Sequence, residues 1–287
     1  MIMKKHIIIL MLMLSFGLSC TNEQSPVNVE GYTFFTADME NISFGTLRKD
    51  LVWEEGACIG VYGSEQGNNE KYFMRKSGLG QNVAEFYGYN VKGQVMAYSP
   101  YNEAFNGSAE ELQLFLSPEQ TLENDDLISQ YMAYASVACA VMKEGALSFH
   151  RPCGLLVVTF DFPENISVSS ISVTAPNGLI AGRYSFMNDE SVVASASAFN
   201  SIVLQCNGQN SRMADGSAVS FPIVLLPGDY DSITLSVDVL NEEDFGCTLT
   251  NVQVKKMTDT GYPVTSVSFP IGNIDGFVPS DGYFEIQ

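Results

Sequence analysis

Apolar and polar residues alternate with a period of two along much of this chain. The clearest cases are Ser167-Val168-Ser169-Ser170-Ile171-Ser172-Val173 and Ile233-Thr234-Leu235-Ser236-Val237-Asp238-Val239. That period turns successive side chains to opposite faces of a strand. Further β-rich runs in the second half are Leu155 to Phe162, Leu179 to Phe186, Val219 to Leu226, Cys247 to Val254 and Val264 to Phe269. The first half predicts strands at Tyr32 to Thr36, Ile59 to Tyr62, Tyr72 to Met74, Val83 to Tyr87, Val95 to Tyr98 and Leu112 to Leu116. Turn formers punctuate them: Gly63 to Asn69, Pro100-Tyr101-Asn102, Ser117-Pro118, Pro176-Asn177-Gly178 and Pro227-Gly228-Asp229. Leu122 to Ser136 fits either a short helix opened by Asp125-Asp126 or a strand carrying Tyr131, Tyr134 and Val137. Many short strands between turn signals define an all-β protein, a sandwich or a barrel. Their number on each side of Arg151-Pro152 predicts two β-sandwich domains in tandem, 32–151 and 152–287.

The N-terminus breaks the pattern. Lys4-Lys5 precede an apolar run, Ile7 to Leu14, and then Ser15-Phe16-Gly17-Leu18-Ser19-Cys20. A positive start, a short apolar stretch and small residues before a cut site make a secretory signal, residues 1–19. The run is too short for a permanent span. Its end resembles the lipobox of bacterial lipoproteins, with Gly17 where Leu is commoner. The resemblance implies that Cys20 is diacylated and becomes the first mature residue, so the protein is anchored to a membrane without crossing it. Polar Thr21 to Gly31 completes a lipidated tether, residues 20–31.

Composition narrows the partners. The leader holds Lys4 and Lys5 and no acid, so its removal takes the formal charge from -19 to -21. Nucleic acid and anionic headgroups are repelled by such a field. A hydrophobic fraction of 46% excludes disorder as the explanation of that acidity. Beyond Cys20 lie Cys58, Cys139, Cys153, Cys206 and Cys247, an odd set with wide spacing and no CxxC. They read as small buried strand residues or as an incomplete disulfide framework, with pairing open.

Several segments carry a family resemblance. Val52-Trp53-Glu54-Glu55-Gly56-Ala57-Cys58-Ile59-Gly60-Val61-Tyr62-Gly63 resembles the N-terminal signature of the Bacteroidales fimbrillin-like proteins. These are lipoprotein subunits of type V pili and related surface proteins. Their pattern runs Trp, a spacer, Gly-Asp, one residue, Ile-Gly-Val-Tyr, and this chain departs from it at Ala57-Cys58. Tyr32 to Asn41 resembles the opening strand, and Ala97-Tyr98-Ser99-Pro100-Tyr101 the family's Tyr-Tyr-Pro-Tyr motif. Ser148-Phe149-His150 resembles the step into the second half, and Pro227-Gly228-Asp229-Tyr230 the turn before a long C-terminal strand. The resemblance implies two transthyretin-like sandwiches displayed at the outer membrane, in a fimbrium where subunits polymerise. It also implies cleavage after an Arg in the first strand, and refilling of the vacated groove by a neighbour's strand. Arg48, in the basic pair before Val52-Trp53, is the candidate processing site. Tyr32, Phe34 and Phe35 would fill the groove. Tyr283, Phe284 and Ile286, alternating with polar residues, form the candidate donor strand. The partners implied are other pilus subunits or a second copy, the outer membrane, and a host protein or glycan.

No catalytic constellation or cofactor motif is present. Once His6 leaves with the signal, His150 is the only histidine, too few for a His-rich metal site. Gly78-Leu79-Gly80 leads into no GK[ST], and no serine sits in GxSxG. Glu110-Glu111, Asp125-Asp126 and Glu242-Glu243-Asp244 lie beside turns, where solvated acids are usual. The expectation is a structural or adhesive subunit with no enzyme activity, cofactor or metal. The alternative is a glycan-binding surface lipoprotein that does not polymerise and uses Tyr87, Tyr89, Tyr98 and Tyr101 as a platform.

Overall fold

The computed structural model describes residues 31–44, 47–122, 126–161, 167–206, 218–239, 245–254 and 265–270. The strands of the first half are β1 (Tyr32–Met39), β2 (Ile42–Phe44), β3 (Leu47–Lys49), β4 (Cys58–Gly63), β5 (Glu70–Met74) and β6 (Val83–Tyr89). They continue as β7 (Val95–Ser99), β8 (Glu111–Leu116), β9 (Glu119–Thr121), β10 (Ala138–Lys143) and β11 (Ala146–Phe149), with one α-helix among the described residues, α1 (Leu127–Tyr134), before β10. The second half holds β12 (Gly154–Asp161), β13 (Val168–Thr174), β14 (Gly182–Met187), β15 (Val192–Ala194) and β16 (Ser201–Gln205). It ends with β17 (Ala218–Leu225), β18 (Gly228–Val239), β19 (Phe245–Val254) and β20 (Thr265–Pro270). The fold is all-β, as the period-two pattern required.

The first half closes into a barrel in the order β1-β11-β10-β7-β4-β5-β6, rather than forming two open facing sheets. In the second half a three-stranded sheet, β17-β12-β20, faces a five-stranded one, β19-β18-β13-β16-β9. Closure removes the exposed edges that an open sheet would present.

Alternation distributes the apolar residues among three cores. Val95 and Ala97 of β7 point into the barrel with Ala138 and Ala140 of β10. Their neighbours Met96, Tyr98, Cys139 and Val141 point out into a middle core. From the other side, Leu155 and Val157 of β12 enter the same middle core, while Leu156, Val158 and Phe160 fill the second-half sandwich. Strands buried on both faces read as unbroken apolar runs, which is why 155–158 shows no alternation.

The helix-or-strand ambiguity resolves as α1. Asp126 caps it, accepting from the backbone N–H of Ile128 at 3.3 Å and of Ser129 at 3.1 Å. Hydrogen bonding, first from the Ser129 hydroxyl, holds the Asp126 carboxyl below the usual carboxylate range. Ile128, Tyr131 and Ala135 then share one face against the middle core.

Segment 111–121 crosses the boundary expected at Arg151. β8 pairs antiparallel with β14, and β9 pairs parallel with β16. Gln120, fully buried, donates to the Val224 carbonyl at 2.6 Å and accepts from its N–H at 3.1 Å. One side-chain amide thus supplies both halves of a strand-like pairing.

Candidate assembly site

The first strand is the piece on which an assembly role depends. β1 runs parallel to β11, with Thr36 opposite Ala146 and Ala37 opposite Leu147, and lies between β11 and β6 in the barrel. Its side chains alternate. Phe35 and Ala37 are buried in the barrel core, and Phe35 stacks on Tyr72 at 5.1 Å. Tyr32 is exposed, and Phe34 is half-buried on the outer face against Tyr87. The expectation that Tyr32, Phe34 and Phe35 together fill a groove is therefore corrected. Only Phe35 does, because adjacent strand residues cannot share a face.

The outer contacts of β1 are specific. The Arg75 guanidinium lies 4.8 Å from the Phe34 ring centroid and pairs with Glu85. The Ser148 hydroxyl donates to Asp38 at 2.8 Å. Beyond β1 the chain turns into the β2–β3 hairpin, where Ser43 pairs with Arg48. Arg48 is exposed and bonds to Asp50 at 2.7 Å, with both side chains about two-thirds exposed. A surface pair of this kind contributes about 0–1 kcal/mol. It leaves the bond after Arg48 near the surface, in an extended backbone. Cys20, Tyr283, Phe284 and Ile286 lie outside the described residues.

The resemblance-bearing motifs meet around the barrel. Trp53, 2% exposed, enters the barrel core edge-on to Phe86 at 4.7 Å and to Phe149 at 5.6 Å. Its Nε1–H donates to the Ala37 carbonyl at 3.3 Å, so the signature tryptophan holds the first strand from inside. Gly60 lies opposite Tyr98 on β7. A Cβ at Gly60 would stand 2.0 Å from the Tyr98 ring, so only glycine fits. Tyr98 also stacks on Phe105 at 3.7 Å and donates to the Asn102 carbonyl at 2.7 Å. An open cavity of about 450 Å³ brings Trp53 to Cys58 together with Lys71, Ser99, Pro100 and Tyr101.

The expected tyrosine platform separates. Tyr98 is fully buried, and burial raises its hydroxyl pKa. Tyr87 and Tyr101 are half-buried, and Tyr89 is 65% exposed. Lys71 lies about 5 Å from the ring centroids of both Phe73 and Tyr101. The chain's own cations therefore already cover part of this aromatic surface.

The thiols divide as burial dictates. Cys139, Cys153 and Cys206 are buried free thiols. Burial pushes Cys153 up to about 11 and Cys206 up to about 12, and raises Cys139 as well. Such thiols carry little thiolate at neutral pH and are poor nucleophiles. Cys58 is partly exposed. His150 pairs through its backbone with Cys139 and sets its ring edge-on to Phe186 at 5.3 Å. Among the described residues no group of three or more His, Cys, Asp or Glu is placed to hold a metal ion, and no helix is long and apolar enough to cross a membrane.

No family profile and no curated protein matches this chain. Solved structures do. A candidate cell adhesion protein from Bacteroides ovatus superposes with a TM-score of 0.53 at 13% identity, covering 83% of this chain and 91% of that one. A fimbrial protein from Bacteroides vulgatus matches with a TM-score of 0.45 at 10% identity, over 83% and 95%. The tip fimbrial protein Mfa3 of Porphyromonas gingivalis gives 0.34 at 10% identity, over 76% and 81%. The first match establishes a shared fold. The structural neighbours are Bacteroidales adhesion and fimbrial proteins, the group that the sequence motifs resemble.

Proposed function

We propose that this chain is a cell-surface lipoprotein of the fimbrillin kind, a structural or adhesive subunit assembled by strand exchange. The observation that carries the reading is β1. It completes a closed barrel while burying only Phe35 and Ala37, and it leads into a hairpin that exposes Arg48. Cys20 would anchor the subunit to the outer membrane. Cleavage after Arg48 would free β1, opening a groove between β11 and β6. A strand from another subunit would fill it, while this chain's candidate donor strand, Tyr283, Phe284 and Ile286, would fill the groove of a neighbour. Residues 32–151 and 152–287 would act as two transthyretin-like lobes joined through the middle core, with segment 111–121 of the first lent to the sheets of the second.

Limited Arg-specific proteolysis tests assembly. The cut chain should form SDS-resistant assemblies with a copy or with another subunit that offers a donor strand, and Arg48→Ala should prevent them. A cut product that neither oligomerises nor takes up an added donor strand at high concentration rules out strand exchange. Cys20→Ala should abolish acyl labelling and release the protein from the outer-membrane fraction.

The second reading, a non-polymerising glycan-binding lipoprotein, draws on the exposure of Tyr89 and Phe73. Lys71 over the Phe73 ring counts against it, since a stacked sugar needs that ring face free.

A further inference from the structure

We propose that the groove under β1 selects its strand by a small residue, and that the chain's own C-terminal stretch fails this test. The inference rests on the strand-exchange reading. Three positions of β1 set the rule. Phe34 lies outside, between the Arg75 guanidinium and Tyr87. Phe35 lies inside on Tyr72. Ala37 lies inside with no exposed surface, its carbonyl bonded to a tryptophan that meets Phe86 and Phe149 edge-on. Across β11 its register partner, Leu147, is also fully buried. The interior of a seven-stranded barrel is narrow, and large side chains on some strands require small ones on others.

The fitting occupant is an extended segment reading aromatic, large apolar, polar, then Ala or Gly. Phe34-Phe35-Thr36-Ala37 satisfies this rule. Tyr283-Phe284-Glu285-Ile286 matches at the first three positions and places a branched side chain at the fourth. The groove therefore favours a strand from a different subunit over a second copy of this chain.

The test uses the full chain after limited Arg-specific cleavage, warmed with synthetic peptides. Trp53 is the only tryptophan and touches the site, so its emission reports occupancy. The peptide of Tyr32 to Glu40 should bind and shift the emission to the blue. Its Ala37→Ile form should bind about tenfold or more weakly, the scale of overpacking in a filled core. The C-terminal peptide ending at Gln287 should bind weakly, and Ile286→Ala should strengthen it by a similar factor. Equal binding by the unsubstituted peptide and its Ala37→Ile form, or tight binding by the native C-terminal peptide, overturns the selection rule and leaves strand exchange standing. Binding by no peptide overturns both.

Discussion

β1 and β12 are the same length, eight residues each, and each lies between two partners. They are held very differently. β12 pairs with β17 through eight register positions, from Gly154 opposite Leu225 to Asp161 opposite Ala218, and with β20 on its other side. It sends Leu155 and Val157 into one core and Leu156, Val158 and Phe160 into another. β1 fully buries only Phe35 and Ala37, both in the barrel core, and half-buries Met39 at the edge of the barrel and middle cores. Position within a sheet thus does not measure how firmly a strand is held. The number of faces it buries does, because hydrophobic stabilisation follows apolar area removed from water.

The largest effect that would break this comparison is expected at β12. Phe160→Ala should destabilise the whole protein by about 3–5 kcal/mol, read by denaturant unfolding. A loss below about 1 kcal/mol would mean that burial on two faces has little consequence here. Next comes the tie between the halves. Gln120→Leu removes both bonds to the Val224 backbone and should cost about 1–3 kcal/mol. In the intact chain Ala37→Ile should cost about 1–3 kcal/mol by overpacking the barrel. Hydrogen exchange should show β1 amides opening well before β12 amides, and equal protection would remove the distinction.

Alkaline pH sharpens the same contrast more gently. Burial raises Tyr72, beneath Phe35, to about 12 from an ordinary value of 10. The folded state then holds this proton more tightly than the unfolded chain. Its stabilising contribution is complete below pH 10 and is lost as pH rises towards 12. Barrel unfolding, followed by Trp53 emission, should grow easier in that window. The smallest effect belongs to Arg48→Ala, which should change stability by less than about 0.5 kcal/mol while removing the proposed cleavage after that residue.

Much of this was legible from residue order. Alternation at 167–173 and 233–239 marked β13 and β18, and the turn residues marked most strand ends. Asp126 carried a capping signal that the Leu122–Ser136 ambiguity left undecided. Gln120 carried no signal at all, since a lone amide near a turn looks like any solvated residue. The β2–β3 hairpin was missed because three-residue strands fall below the length at which a period can be recognised. Tyr98 read as a platform tyrosine and is instead buried over Gly60, a role that depends on the opposite strand.

The amino-acid sequence by itself determined the all-β class, the net negative charge and the segments that resemble fimbrillins. These are local properties, written in period, charge and short spacing. Only the tertiary structure decided that the first strands close into a barrel, that β8 and β9 join the sheets of the second half, and that a middle core lies between the two. It also decided which of Phe34 and Phe35 faces inward, and that Ala37 sits against Trp53. Those outcomes depend on which strands become neighbours. Pairing between distant segments is set by how all the apolar faces are buried at once, and no single segment records it.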